Sequence, residues 1–195
     1  MASQPNTFYP AEEYLELERK AEYKSEYYNG EIYAMSGASR NHNAIAFSLT
    51  GMVRQHLRGK ACRGFTSDMR VLVRPSGLYT YPDLSATCEP PQYLDGQLDT
   101  LLNPSLIVEI LSPSTLRYDR GEKANLYRDL PSLHELLLIT QDQYEVELYR
   151  RESDSEWKLI HVTSPDAIVE LRSIGYTLSL RELYENVDFA SAEGA

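Results

Sequence analysis

The sequence predicts a mixed α/β (α+β) fold, a central mixed β-sheet flanked by helices. Three observations carry that prediction. Residues 105–111 and 133–139 are short, almost wholly apolar runs, which suit strands covered on both faces. Residues 41–57 place Ile45, Leu49, Met52, Val53 and Leu57 at helical spacing, and residues 119–130 offer Ala124, Leu126, Tyr127 and Leu130 to a core in the same way. Residues 143–151 alternate Val146 and Leu148 with charged neighbours, as a half-exposed strand does.

The elements follow in order. Residues 10–20 read as a short helix. Pro10 suits the first turn, where its missing N–H would be unpaired anyway, and Glu12 and Glu13 suit the positive end of the helix dipole. Asn29-Gly30 between Tyr-rich runs predicts a hairpin over residues 26–33, because a type I′ turn needs two residues at positive φ. Gly59 ends the 41–57 helix. Residues 64–66 and 69–74 are short strands, the second with Val71 and Val73 on one face, and Pro75-Ser76-Gly77 is a turn. Residues 81–87 read as one strand and 90–103 as a polar loop. The central strand 105–111 stops at Ser112-Pro113-Ser114, and Pro131 ends the 119–130 helix. Strands 143–151 and 157–162 extend the sheet or form a small antiparallel layer, and residues 179–187 close the chain as a short helix.

No repeat or linker divides the 195 residues, which suffice to bury a sizeable core. They predict a single domain over 1–195. Its core spans about 41–139, with the N-terminal helix and hairpin over 10–35 and the C-terminal strands and helix over 143–187. No stretch approaches the ~18 apolar residues of a membrane span, and residues 1–12 lack a signal-peptide pattern, so a cytoplasmic location is expected. Cys62 and Cys88 fit reduced thiols. A net charge of −10 argues against a protein that coats nucleic acid. Residues 40–74, however, hold seven basic residues against Asp68, a local balance of +6 that leaves −16 elsewhere. Arg54, Arg58 and Arg70 from that stretch are candidate phosphate-backbone contacts. A solvated helix and hairpin explain the same charge equally well.

The residues that point to chemistry are two acids. Glu109 interrupts the run Leu106-Ile107-Val108-Glu109-Ile110-Leu111, where a carboxylate is unfavourable to bury without a partner. Asp83, in Tyr81-Pro82-Asp83-Leu84, precedes it by 26 positions, room for a strand, a loop and the next strand. Two hard oxygen ligands on adjacent strands suit Mg²⁺ or Mn²⁺, and such ions suit phosphate chemistry. Asp119, Lys123 and Tyr127 are spaced by four, so they share one helical face, and Lys123 is placed to reach Glu109. An exposed Asp119–Lys123 helix pair fits that spacing too. His42 opens the second helix, where a capping or surface role competes with a catalytic one. The sequence contains no HExxH, GxSxG, P-loop or CxxC pattern.

Taken together, the segment Glu26-Tyr27-Tyr28-Asn29-Gly30-Glu31-Ile32, His42, Pro82-Asp83, the run from Val108 to Thr115 and Tyr118-Asp119-Arg120-Gly121-Glu122-Lys123 with Tyr127 resemble the Uma-two endonuclease family. That family lies within the PD-(D/E)xK, or restriction-endonuclease-like, superfamily, and the resemblance spans roughly residues 10–185. It implies a restriction-endonuclease-like core and a DNA endonuclease that uses Mg²⁺ or Mn²⁺. It implies Asp83 and Glu109 as metal-binding acids, with the Ile110 carbonyl as a further ligand. The superfamily lysine, two residues after the glutamate, is here Leu111. Lys123 on the following helix is the matching replacement, and Glu26 stands in for an upstream glutamate that the 41–57 helix lacks. A homodimer follows from how double-strand cutting is usually achieved. The alternative reading is a catalytically degenerate nuclease fold that binds nucleic acid or protein.

Overall fold

The computed structural model describes residues 8–113 and 115–189. Ser114, part of the expected stop after the central strand, lies outside them. Helix α1 (Ala11–Glu18) starts after Pro10, with Glu12 and Glu13 in its first turn. Strands β1 (Ser25–Tyr28) and β2 (Glu31–Ala34) form the expected hairpin, with Asn29 at φ 50° and Gly30 at φ 87°. Helix α2 (Arg40–Leu57) is capped by Ser39, whose hydroxyl accepts the His42 N–H, and it buries Ile45, Leu49, Val53 and Leu57. Next come β3 (Arg63–Thr66), β4 (Arg70–Val73), β5 (Leu78–Thr80), β6 (Leu84–Thr87), β7 (Thr100–Leu101) and β8 (Leu106–Leu111). The helical segment after β8 is α3 (Leu116–Tyr118), a π-helical turn (Asp119–Lys123) and α4 (Ala124–Arg128). Strands β9 (Glu135–Thr140), β10 (Val146–Arg151), β11 (Trp157–Val162), β12 (Ile168–Leu171) and β13 (Tyr176–Ser179) lead to α5 (Leu180–Leu183).

The strands form a six-stranded mixed sheet in the order β11-β10-β9-β8-β6-β3 and a five-stranded sheet in the order β2-β1-β5-β4-β7, while β12 and β13 form a small pair. In the larger sheet β8 and β9 run parallel and the other pairings are antiparallel. Alternation along β8 sorts the core. Leu106, Val108 and Ile110 join α2, α5 and the β12–β13 pair in one apolar cluster. Ile107 and Leu111 face the other way, in a cluster with Ala124 and Tyr127 of α4, Leu130 just beyond it, and Val71, Val73 and Leu78 of the smaller sheet. A third cluster seats Tyr14 and Leu15 of α1 on Tyr27, Leu72 and Tyr79. Each fully buried Leu or Ile contributes roughly 1.5–3 kcal/mol through the area it removes from water.

The structure corrects several expectations. Residues 81–87 are not one strand. β5 belongs to the smaller sheet and β6 to the larger, and the chain crosses between them at Pro82-Asp83. Proline has no N–H for a ladder, so the first sheet ends there. The 90–103 loop contains β7, which pairs with β4; a two-residue strand carries no periodicity to read. The β12–β13 pair lies between the strand expected over 157–162 and the helix expected from 179, and takes the first residue of that helix. Cys62 and Cys88 form a disulfide. The β3–β6 register places Arg63 opposite Thr87, so one further step brings the two cysteines face to face across 26 residues of chain.

Candidate active site

The alternation that builds the core also aims Glu109. It shares the face of Ile107 and Leu111, toward the π-turn and α4, and it is buried. The β6–β8 ladder pairs Leu84 with Val108, so the next step sets Asp83 opposite Glu109 at the point where the chain changes sheets. Asp83 Oδ2 accepts the Ile110 N–H at 2.7 Å, taking a ladder position that β6 has vacated. A residue in a pleated strand directs N–H and C=O to the same side, so the Ile110 carbonyl faces that side too. His42 Nε2 lies 3.2 Å from Asp83 Oδ1, brought there by the start of α2.

Lys123 arrives from the opposite wall. Its ammonium is 2.9 Å from Glu109 Oε1, 2.7 Å from Glu26 Oε1 and 3.8 Å from Asp119 Oδ1. Tyr127, one turn on, donates to Glu109 Oε1 at 2.5 Å. Thr80 donates to Glu26 Oε1 at 2.5 Å and sits 3.3 Å from the Tyr127 hydroxyl. Leu111 occupies the apolar cluster and takes no part.

The electrostatics are unbalanced. Burial raises the Glu109 carboxyl to about 8; Lys123 works against this, while Asp83, Asp119 and Glu26 add to it. The same burial disfavours a charged Lys123, but Glu109, Tyr127, Glu26 and Asp119 outweigh it and hold the ammonium protonated. One ammonium is therefore shared among three carboxylates, and Glu109 is left undercompensated. Burial also raises Asp119. At His42, burial acts to lower the imidazole, but the hydrogen bond and charge of Asp83, with Glu109 behind it, raise it above its ordinary value. His42 Nδ1 is buried with no hydrogen-bond partner among the described residues.

Asp83, Glu109, Ile110, Lys123, Glu26 and His42 thus converge on one place. Arg54 and Arg58 do not. Arg54 is exposed on α2, about 18 Å along its axis from His42, and Arg58 is exposed just past the end of that helix. Arg70 is a correction, since it is buried and is no backbone contact. It donates to Thr100 Oγ1 and the Tyr81 hydroxyl at 3.0 Å each and pairs with Asp99 Oδ2 at 3.0 Å. A charge count along the chain registers the guanidinium but not these distant acceptors. Thr80 was not singled out in the sequence, and nothing around it marks it.

The oxygen donors suit a hard divalent cation, and the excess of carboxylate over ammonium gives such an ion a physical reason to bind. Among the described residues Asp83 and Glu109 do not join a third acid or histidine in a tight set. Among the described residues the only three such ligand atoms within 4.8 Å of one another belong to Glu145, Glu147 and His161. Mg²⁺ keeps several waters and is often held by one or two carboxylates, so Asp83, Glu109 and a backbone carbonyl fit it.

Comparison with known proteins gives three findings. The family model Uma2, described as "Putative restriction endonuclease", matches residues 11–181. Two proteins of Synechocystis sp. are similar. "Uncharacterized protein slr1290" is 37% identical over 192 residues, 97% of this chain and 100% of that protein. "Uncharacterized protein sll1609" is 39% identical over 160 residues, 82% of this chain and 90% of that protein. A crystal structure from Anabaena variabilis, described as "a putative nuclease belonging to DUF820", superposes with a TM-score of 0.73 at 23% identity, covering 90% of this chain and 97% of that one. The fold is of restriction-endonuclease type. No helix among the described residues is long and apolar enough to cross a membrane.

Proposed function

The chain belongs to the Uma2 family, and from that premise we propose that it is a metal-dependent DNA endonuclease whose reacting centre is Asp83, Glu109 and Lys123. The observation that carries this reading is Lys123 Nζ at 2.9 Å from Glu109 Oε1. A lysine beside the metal acid is what Leu111 fails to supply from β8, and the helix after the strand supplies it instead. Asp83, Glu109 and the Ile110 carbonyl would hold Mg²⁺ or Mn²⁺. Such an ion polarises a scissile phosphate and provides a nucleophilic water near neutral pH.

The protein's own groups do the rest. Lys123 carries a fixed positive charge to the phosphate, where negative charge grows in the transition state. Glu26 and Tyr127 hold Lys123 and Glu109 in register, so neither must reorganise during the reaction. His42 and the Ile110 N–H orient the Asp83 carboxylate. Arg54 and Arg58 would meet the DNA backbone away from the cut. A homodimer would present one such centre to each strand, and a DNA substrate implies the cytoplasm.

Plasmid nicking with Mn²⁺ tests the proposal. The native protein should cleave, and Asp83→Ala, Glu109→Ala and Lys123→Ala should each lower the rate by about 10²–10⁴-fold, the span of a lost electrostatic or acid–base group. Cleavage that survives all three substitutions would place the activity elsewhere. Binding of DNA with no cleavage in any metal would leave the degenerate binding module as the correct reading.

A further inference from the structure

Arg120 follows Asp119 directly in the π-turn, yet its guanidinium lies at the start of β10. Its Nη2 is 3.2 Å from Glu145 Oε1 and 3.0 Å from Glu147 Oε1. His161 of β11 stands opposite Glu147 in the ladder, and its Nε2 is 2.9 Å from Glu145 Oε1. Glu145, Glu147 and His161 offer metal-type donors within 4.8 Å of one another. That place already holds a cation, however, namely Arg120, which a metal ion would have to displace.

The consequence concerns the turn itself. A π-turn is rare because its hydrogen bonds are less favourable than those of an α-helix, so tertiary contacts must hold it. This one has a charged anchor on each side. Lys123 is set among Glu26 and Glu109, and Arg120, three residues earlier, is set among Glu145 and Glu147. The two glutamate side chains are largely buried, at 12% and 15% exposure, and the Arg120 side chain is 30% exposed, so water reaches this pairing chiefly from the arginine side. Arg120 Nε and Nη2 are buried without an aligned hydrogen bond among the described residues. Charge rather than a directional fork holds the guanidinium.

We propose that Arg120 is a positioning residue of the site: by gripping Glu147 on β10 and Glu145 just before that strand, it fixes the turn from which Lys123 reaches Glu109. The inference rests on the role given to Lys123 above. Its test therefore needs a measurement that does not depend on cleavage. Trace acetylation of the metal-free protein, read by mass spectrometry, reports how often Lys123 leaves its burial, with exposed Lys20 and Lys158 as internal references.

In Arg120→Ala, Lys123 should label about tenfold faster while the references stay unchanged, as expected for a local opening. Glu147→Gln, a gentler change, should act in the same direction, and combining it with Arg120→Ala should add little, because the two residues form one contact. Arg120→Lys should restore most of the protection, since it keeps the charge that holds the turn. Where the native protein cleaves, Arg120→Ala should lower kcat by about 10- to 100-fold with KM for DNA unchanged.

Lys123 that stays protected in both Arg120→Ala and Glu147→Gln overturns the proposal, as does labelling that rises equally at all lysines. A native protein that cleaves nothing would instead sink the endonuclease reading, and the labelling result would still decide the role of Arg120.

Discussion

Two buried clusters of charge in this molecule behave in opposite ways. Around Arg70, each donor group has its own acceptor in Thr100, Tyr81 or Asp99. Arg19 adds a second guanidinium on Asp99 and Asp95. Hydrogen bonding from Arg19 outweighs burial and holds Asp99 down to about 2. Around Lys123, one ammonium serves Glu26, Glu109 and Asp119, and Glu109 is pushed up to about 8. A satisfied cluster stabilises the fold. An unsatisfied one is tolerated when a further cation, or a substrate, completes it. The contrast sets Arg70 in the scaffold and supports the proposed role of Lys123.

The largest expected effect tests the scaffold side. Arg70→Ala should destabilise the protein by about 2–5 kcal/mol, because it leaves a cavity where the side chain was buried and removes the donors from which Thr100, Tyr81 and Asp99 accept. Cleavage per folded molecule should stay at the native level. Urea unfolding together with nicking corrected for the folded fraction measures both. An intact fold with lost activity would move Arg70 back to the substrate.

Much of this contrast was legible in the sequence, but unevenly. Glu109 stood out because one acid in a six-residue apolar strand violates the pattern around it. Lys123 followed from spacing by four, which the π-turn distorts without breaking. Glu26 was visible only through family likeness, since 97 positions separate it from the lysine it meets. Arg70 was misread because charge along a chain does not reveal burial. Its acceptors arrive from β7, from the loop before it and from Tyr81 beyond the next turn, each by tertiary folding. The sheet change at Pro82-Asp83 was hidden for a related reason. The proline marks a break, but only the pairing partners show that the strands on its two sides belong to different sheets.

The second effect is a difference in pH response. Glu109 takes up a proton on folding, since its carboxyl is raised from 4.5 to about 8. The metal-free fold is therefore fully supported below about 4.5 and loses stability as pH rises through about 8, by on the order of a few kcal/mol. Asp99 has the opposite sign. Its support is present above 3.8 and is lost as pH falls through about 2. Thermal melts across pH should show the alkaline loss in the native protein and its absence in Glu109→Gln. Saturating Mg²⁺ should also remove it, because an ion that binds only the folded state supplies the missing charge. An alkaline loss that persists in Glu109→Gln would place its origin elsewhere.

The smallest effect separates pairing from burial within the satisfied cluster. Arg19 makes bonds as short as those of Arg70, at 2.7 and 2.8 Å, but its side chain is 29% exposed and that of Arg70 only 2%. Water replaces a lost partner at an exposed pair, and salt screens what remains. Arg19→Ala should therefore lower Tm by no more than about 2–4 °C, the shift that 1 kcal/mol produces in a domain of this size. Added salt should shrink the difference. A loss as large as that of Arg70→Ala would mean that the geometry of pairing, rather than removal from water, sets the strength of these clusters. The reading of Glu109 as an acid made unusual by burial would then need the same revision.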